Sequence, residues 1–358
     1  MRRVSIKDVA REAGVSTTTV SYVLNEITTQ TISSETSRRV REVAKRMGYV
    51  PNLNARSLTS RKTNLIGIVI PQTEPGREFM FDNPFYGALL SSLEFNARRN
   101  GYHLLLTGPA SGQSYIGVAR NRGVDGIVIV GSYPSSSLDE LHQLSIPVVL
   151  IDTYVTDESF HTIGINDRQG GRMATEYLLS RGHRGIAFVS GGISEHGVMR
   201  QRFLGYQEAL EAAGLQVREE RLYTGEVSFQ HGMQAAKELC SQQDITAVFA
   251  AADILGVGVV KGLRQQGRRV PEDVSVMGFD DLDLAQICDP SLTTMRQDIA
   301  AKGRQAILTI LDALDGKPDK QEWIFPVDLV VRDSVRSVGR PVTAQKHRRP
   351  DSGEELNE

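Results

Sequence analysis

Four carboxylates and one arginine mark where this chain can hold a ligand. Asp152 follows the apolar run PVVLI, Asp253 follows AVFAAA, and Asp280 with Asp281 follows VSVMGF. Gly191 and Gly192 follow IAFVS, and Arg202 begins the next helical segment. In open α/β sheets, ligands bind beyond the carboxyl ends of the strands, which is where these residues fall. Carboxylates accept and a guanidinium donates paired hydrogen bonds, so the set suits a ligand rich in hydroxyls. Asp152 and Asp280 read as cleft groups, whereas Asp253 and Asp281 read equally well as helix caps. A second cluster of different chemistry lies near the start of the chain. Thr17, Thr18, Ser21 and Tyr22 point outward from a short helix whose Val20, Val23 and Leu24 point inward. A helix-turn-helix presents this part of its second helix to base edges in the major groove, so the cluster is suited to reading DNA.

The elements that must position the second cluster are legible in SIKDVAREAGVSTTTVSYVLN (5–25). Ile6, Val9, Ala10 and Ala13 recur at helical spacing. Gly14 ends that helix, Val15 plugs the corner, and Ser16 caps the next helix. A third helix, SETSRRVREVAKRMG, starts at a Ser34 cap and closes a three-helix core with Val40, Val43 and Met47. Charge separates this head from the rest. Residues 1–62 hold twelve Lys and Arg against five acids, a balance of +7, whereas the whole chain is at −2. A basic head on an acidic body fits phosphate contacts made by the head alone.

At 358 residues there is room for two or three domains, and 40% hydrophobic with 23% charged residues is a globular composition. No run of 18 apolar residues suggests a membrane span, and MRRVSIKDVAREAG lacks the apolar stretch of a signal peptide. Cys240 and Cys288, far apart, read as buried reduced thiols. A cytoplasmic location is expected. Enzyme signatures are missing: there is no Walker A motif, no HExxH or other metal spacing among the seven histidines, and no serine nucleophile elbow. GVGVVKG (256–262) reads as helix packing. Neither a metal nor a cofactor is expected.

From residue 64 the texture becomes alternating strands and helices. NLIGIVIP (64–71), HLLLTG (103–108), GIVIVG (126–131) and PVVLID (147–152) are strands, with a helix over 83–102. The series then restarts with TIGIN (162–166), followed by IAFVSGG, AVFAAAD and VSVMGFDD, each strand preceding a helix or turn. Uniformly apolar strands between amphipathic helices imply parallel sheets covered on both faces. The expected fold is α/β: a small all-α helix-turn-helix head, then a core of two similar α/β subdomains with mainly parallel sheets. The head spans 1–51 and a hinge or linker 52–63. The core spans 64–340, its first subdomain about 64–161 and 294–324, its second about 162–293 and 325–340. The segments LTTM and WIFPVDLVVR are left to cross between them. The tail 341–358 lacks apolar residues and reads as disordered. The hinge carries Ala55 and Leu58 at i, i+3 in a stretch too short for a stable isolated helix, so it should fold only with support.

Taken together, KDVAREAGVSTTTVSYVLN, GYVPNLNARSL, NPFYGALLSSLE, VDGIVIVGS, RGHRGIAFVSG, RQRFLGYQEAL and VPEDVSVMGFDDLDLAQICDPSLTTMRQD resemble the LacI family of bacterial transcription regulators over about residues 5–340. The resemblance implies a homodimer that binds pseudo-palindromic double-stranded operator DNA. Thr17, Thr18 and Tyr22 lie where family members read the major groove, and Ser21, Asn25 and Arg56 join the expected DNA-binding set. The residue matching Leu58 wedges into a central minor-groove step while Ala55 packs on its dimer mate, the wedge kinking the duplex. The core resembles periplasmic sugar-binding proteins. Asp152, Arg202, Asp253 and Asp280 match effector contacts, Phe85 and Tyr86 lie near the cleft and the dimer face, and His196 stands where some members place a contacting arginine. The expected activity is repression controlled by a small molecule, a sugar or sugar derivative. The alternatives are a purine-type co-repressor, a solute binder without a regulatory role, and an enzyme. Departures from the family pattern leave the effector open. Ala252-Asp253 stands for Asn-Asp, Val227 for an aromatic, and the segment between HLLLTG and VDG is short, as if one helix were trimmed.

Overall fold

The computed structural model describes residues 4–25, 32–50, 62–70, 81–108, 123–131, 136–154, 157, 159–194, 197–317 and 320–338. These fall in two units, Met1–Asn64 and Leu65–Glu358. Residues 52–61 of the expected hinge, the expected helix trimming between residues 109 and 122, and the expected disordered tail lie outside the described residues.

The head is built from local signals. Ser5 caps α1 (Ile6–Ala13) reciprocally: its Oγ accepts from the Asp8 N–H at 3.3 Å, and Asp8 Oδ2 accepts from the Ser5 N–H at 3.0 Å. Gly14 ends α1 in the left-handed region at φ 65°, where a Cβ would be strained. That turn lets the Val15 N–H donate to Ala10 O at 3.0 Å. Ser16 then caps α2 (Thr17–Leu24), its Oγ accepting from the Thr19 N–H at 3.0 Å. Ser33 rather than the expected Ser34 caps α3 (Ser34–Arg46). Its Oγ accepts from the Thr36 N–H at 3.2 Å and its hydroxyl donates to Thr36 Oγ1 at 2.9 Å, which leaves Ser34 as the first helical residue. Val9, Ala10, Ala13, Val20, Val23, Val40, Val43 and Ala44 form the buried core, with Ile6, Leu24 and Met47 packed at its margin.

Among the described residues, the body contains two six-stranded sheets. The first is built from β1 (Leu65–Val69), β2 (His103–Thr107), β3 (Gly126–Val130), β4 (Val148–Ile151), β5 (His161–Ile165) and β11 (Glu322–Phe325), in the order β11-β5-β4-β3-β1-β2. The second is built from β6 (Ile186–Gly191), β7 (Leu222–Gly225), β8 (Ala247–Ala250), β9 (Ser275–Asp280), β10 (Thr293–Gln297) and β12 (Val327–Val330), in the order β12-β10-β9-β8-β6-β7. Every pairing is parallel except β10 with β12. Strands β3, β4, β6, β8 and β9 are buried at every position, as sheets covered on both faces require. Helices α4 (Pro84–Arg99) and α11 (Ile299–Leu314) pack on each other, and α11 also lies on β3, β4 and β5 of the first sheet. Helix α5 (Ser136–Leu141) precedes β4. Helices α6 (Asp167–Ser180) and α7 (Val198–Ala212) pair beside the second sheet, as do α8 (Phe229–Leu239) and α9 (Asp253–Gln265). The short α10 (Asp283–Ile287) follows β9. Among the described residues, no helix is long and apolar enough to cross a membrane.

The pairings correct two subdomain boundaries. Strand β5, which holds all of TIGIN but its last residue, hydrogen-bonds in parallel to β4 and β11, so it belongs to the first sheet rather than opening the second. Strand β10, which holds TTM of LTTM, pairs with β9 and β12 in the second sheet. An apolar run reveals a strand but not which neighbour it joins, because that choice depends on distant edges. The chain crosses between the lobes at three places: Ile165 to Asp167, Gln297 to Ile299, and Pro326 between β11 and β12. WIFPVDLVVR does cross, and Pro326 is its crossing point.

Candidate functional site

Two strand ends carry strained backbone. Asp152, just past β4, has φ 54°; Asp280, ending β9, has φ 119°, and Asp281 has φ 62°. Such conformations cost non-glycine residues roughly 1–3 kcal/mol each and persist where the surroundings enforce them, often at functional sites. Asp152 lies at the end of the first sheet and Asp280 at the end of the second. A continuous polar chain joins them.

Arg202 is its centre. The guanidinium is 4% exposed and lies 3.6 Å from the centroid of the Phe279 ring. Nε donates to Asp167 Oδ1 at 2.7 Å, Nη1 donates to Ala251 O at 2.6 Å, and Nη1 stands 3.5 Å from Asp280 Oδ1. Two glycines set this geometry. A Cβ at Gly205 would sit 2.0 Å from Arg168 O, and one at Gly171 would sit 2.2 Å from Arg202 O. Helices α6 and α7 therefore touch backbone to backbone, which brings Arg202 against the first turn of α6. The chain continues on both sides. The Tyr154 hydroxyl donates to Asp167 Oδ2 at 2.5 Å. Gln297 Nε2 donates to Asp280 Oδ1 at 2.6 Å, and its Oε1 accepts from Lys302 Nζ. Lys302, fully buried on α11, donates to Asp152 Oδ1 at 2.5 Å with its Nζ 5.7 Å from the centroid of the Phe85 ring. The path Tyr154–Asp167–Arg202–Asp280–Gln297–Lys302–Asp152 thus links the two lobes beside two of their crossovers.

Burial dominates the electrostatics. It pushes the Asp152 carboxyl up, and Lys302 opposes it. Burial raises Asp280 to about 6 against the pull of Arg202 and Gln297. Burial works against the Arg202 charge, but Asp167 and Asp280 outweigh it and hold the group above its ordinary value. The Tyr154 phenol is raised by burial and then by Asp167. Asp253 is raised well above its usual range by burial, then by Asp280.

The residues singled out by the sequence fall into separate groups in the fold. Asp152, Arg202 and Asp280 meet in the polar chain, with Phe85 beneath Lys302 and Tyr86 edge-on to Phe85 at 5.6 Å. Asp253 opens α9 with no exposed surface, both oxygens being held inside the second lobe. Oδ1 accepts from the Thr294 hydroxyl at 2.6 Å and Oδ2 from the Leu282 N–H at 2.8 Å. Asp281 pairs with Arg332. His196 lies outside the described residues. Tyr154, Asp167, Gln297 and Lys302 were missed. Asp167 and Gln297 obey the same strand-end rule as Asp152. Lys302 shares a helical face with Ile299, Ala306 and Ile310, and a lysine on an apolar stripe is the signal that marks it. Among the described residues, no group of three or more His, Cys, Asp or Glu is placed to hold a metal ion. The cluster brings donors and acceptors of both kinds together at the strand ends of the two lobes.

In the head, Thr17 and Thr18 are exposed on the first turn of α2, and Tyr22 is half-buried one turn on. Asn25 Nδ2 donates to Ser21 Oγ at 3.1 Å, so this pair is mutually engaged. Ala55, Arg56 and Leu58 lie outside the described residues.

Comparison with known proteins agrees with both halves. Residues 5–52 match the model for bacterial regulatory proteins of the lacI family, and residues 175–335 match that for a periplasmic binding protein-like domain. The HTH-type transcriptional regulator DegA of Bacillus subtilis (strain 168) is 35% identical over 342 residues, covering 93% of this chain and 98% of DegA. The HTH-type transcriptional repressor PurR of Vibrio vulnificus (strain CMCP6) is 33% identical over 342 residues, covering 93% and 99%. A solved complex of the transcriptional regulator CelR with cellobiose aligns with a TM-score of 0.67 at 30% identity, covering 93% of this chain and 100% of that one. Similarity that extends from the DNA-reading head through both lobes at this identity means that the chain belongs to the LacI family and is a DNA-binding transcription regulator.

Proposed function

We propose that this regulator is a repressor that binds a pseudo-palindromic operator as a homodimer and is controlled by a sugar or sugar derivative held between the lobes. The carrying observation is the buried chain of donors and acceptors at the strand ends of both sheets. It presents groups of both kinds, as a polyhydroxylated ligand requires. Such a ligand exchanges its hydroxyls for some of the interlobe hydrogen bonds, so it binds one lobe arrangement better than another and shifts the population between them. In this reading, lobe closure sets the spacing of the two heads at which residues 52–63 fold on DNA, with Leu58 as the minor-groove wedge and Ala55 against its dimer mate. Thr17, Thr18 and Tyr22 read bases.

The test is a thermal-shift screen of the full chain against sugars, polyols, nucleobases and nucleosides, followed by operator binding with and without each hit. A ligand bound to the native state raises the melting temperature by mass action. A sugar that shifts the melting temperature and weakens operator binding supports the reading; a sugar that shifts it without changing operator binding refutes effector control. Leu58→Ala should weaken operator binding far more than non-specific binding, and an equal loss of both would remove the wedge. A second reading, a purine-type co-repressor, draws support from the full-length likeness to proteins named PurR. Against it, Val227 is buried in the core of the second lobe where an aromatic would be needed for stacking. Stabilisation by purines alone, with tighter operator binding, would replace the carbohydrate reading.

A further inference from the structure

The charges of the interlobe cluster do not match one for one. Three buried carboxylates, Asp152, Asp167 and Asp280, face two buried cations, Arg202 and Lys302. Each cation already has a carboxylate. Arg202 Nε is committed to Asp167 at 2.7 Å, and Lys302 Nζ to Asp152 at 2.5 Å. Both cations are also backed by aromatic faces, Phe279 under Arg202 and Phe85 under Lys302. Asp280 is the carboxylate left over. Its Oδ1 accepts from the neutral Gln297 amide at 2.6 Å, and its nearest cation is the shared Arg202 Nη1 at 3.5 Å. Both contacts fall on Oδ1, and the residue is only 3% exposed. Asp167 and Asp253 stand in the first turns of α6 and α9, where the helix dipole offsets part of a negative charge, whereas Asp280 ends a strand. The raised Asp280 carboxyl, about 6, agrees with an acid that lacks a full counter-charge.

We propose that the effector of this regulator carries an ammonium group on a hydroxylated scaffold, as an amino sugar does, and that this ammonium pairs with Asp280. The inference rests on the carbohydrate reading above and narrows it by charge. An anionic ligand such as a sugar phosphate or sugar acid would add a second uncompensated negative charge to a dry site, where Coulomb energies are several times those in water. A neutral sugar leaves Asp280 as it stands. A monocation completes the pairing, and its own hydroxyls use the remaining donors and acceptors.

The experiment compares, on the full chain at one pH near neutrality and matched ionic strength, D-glucosamine, D-galactosamine and D-mannosamine with three sets of counterparts. These are the neutral parent sugars, the N-acetylated forms, and D-glucose 6-phosphate with D-gluconate. Dissociation constants are read from the shift in melting temperature. At least one amine should bind ten times more tightly than both its neutral parent and its N-acetyl form, and Asp280→Asn should reduce that ratio to about one. The N-acetyl comparison uses the unaltered protein, so it stands even where Asp280→Asn folds poorly. Preference for a neutral, N-acetylated or anionic sugar overturns the ammonium proposal and leaves the carbohydrate reading intact. Stabilisation by no member of the panel overturns both. Preference for an amine that survives Asp280→Asn overturns the role given to Asp280.

Discussion

Lys302→Met should be among the most damaging single substitutions in the body of this protein. The ammonium is fully buried and holds Asp152 at 2.5 Å and the Gln297 carbonyl oxygen. Methionine fills most of the same volume without the charge, so packing loss is small, but the Asp152 carboxylate is left buried without its cation. Breaking a buried pair by removing one partner costs about 3–5 kcal/mol, whereas replacing both by neutral groups is often close to neutral. At about 2–4 °C per kcal/mol for a large domain, the single variant should melt roughly 6–20 °C lower. Asp152→Asn with Lys302→Met should recover most of that loss, giving a coupling energy of about 2–3 kcal/mol in a double-mutant cycle. The chain has a single tryptophan, Trp323 on β11, so denaturant unfolding followed by its fluorescence reports on the body alone. A cost below about 1 kcal/mol for Lys302→Met, or single-variant costs that simply add, would refute the claim that the two side chains form one buried electrostatic unit.

Asp280 should make the body's stability pH-dependent with a definite sign. Its folded-state value, about 6, lies above its usual range, so the folded state binds the proton more tightly than the unfolded state does. This contribution is favourable at low pH and is lost as pH rises through about 6. Asp280→Asn removes it, so the variant's stability relative to the parent should improve by about 1–2 kcal/mol between pH 4.5 and pH 7.5. A flat or opposite difference in denaturant unfolding would contradict the burial argument. Gly205→Ala places a methyl against the α6 backbone and should destabilise the body by about 1–3 kcal/mol or more, while leaving the head's DNA affinity in isolation unchanged. Melting within 1 °C of the parent would show that α6 and α7 are not in backbone contact. Thr18→Ala should lower operator binding roughly fivefold in competition assays while binding to random DNA holds. Ser16→Ala removes the α2 cap and should destabilise the head by about 1 kcal/mol, measured by circular dichroism of the head's own transition.

The head was legible because its determinants are local. The i, i+3, i+4 spacing of Val9, Ala10 and Ala13, the Gly14 turn and the Ser16 cap all act within a few residues, so a linear reading locates them. The same holds for most strands of the body, whose apolar runs announce burial on both faces. Strand membership was less legible. TIGIN and LTTM look like any other buried strand, and only the edges offered by β4 and β9 assign them to a sheet. The strand-end rule by itself singles out Asp152 and Asp280. It could not say what each would face, because pairing is a long-range fact. Lys302 reaches Asp152 across 150 positions of the chain, and Arg202 reaches Asp167 across 35. Asp253 shows the same limit from the other side. A carboxylate at a strand end suits a cap, a ligand contact or an internal tie, and Thr294, 41 positions away, makes it a tie. Residue type and local spacing are enough to make a group available for binding. Whether its charge is met by the protein or left for a ligand depends on which distant side chains share its dry, low-dielectric surroundings, and only the folded chain assembles those.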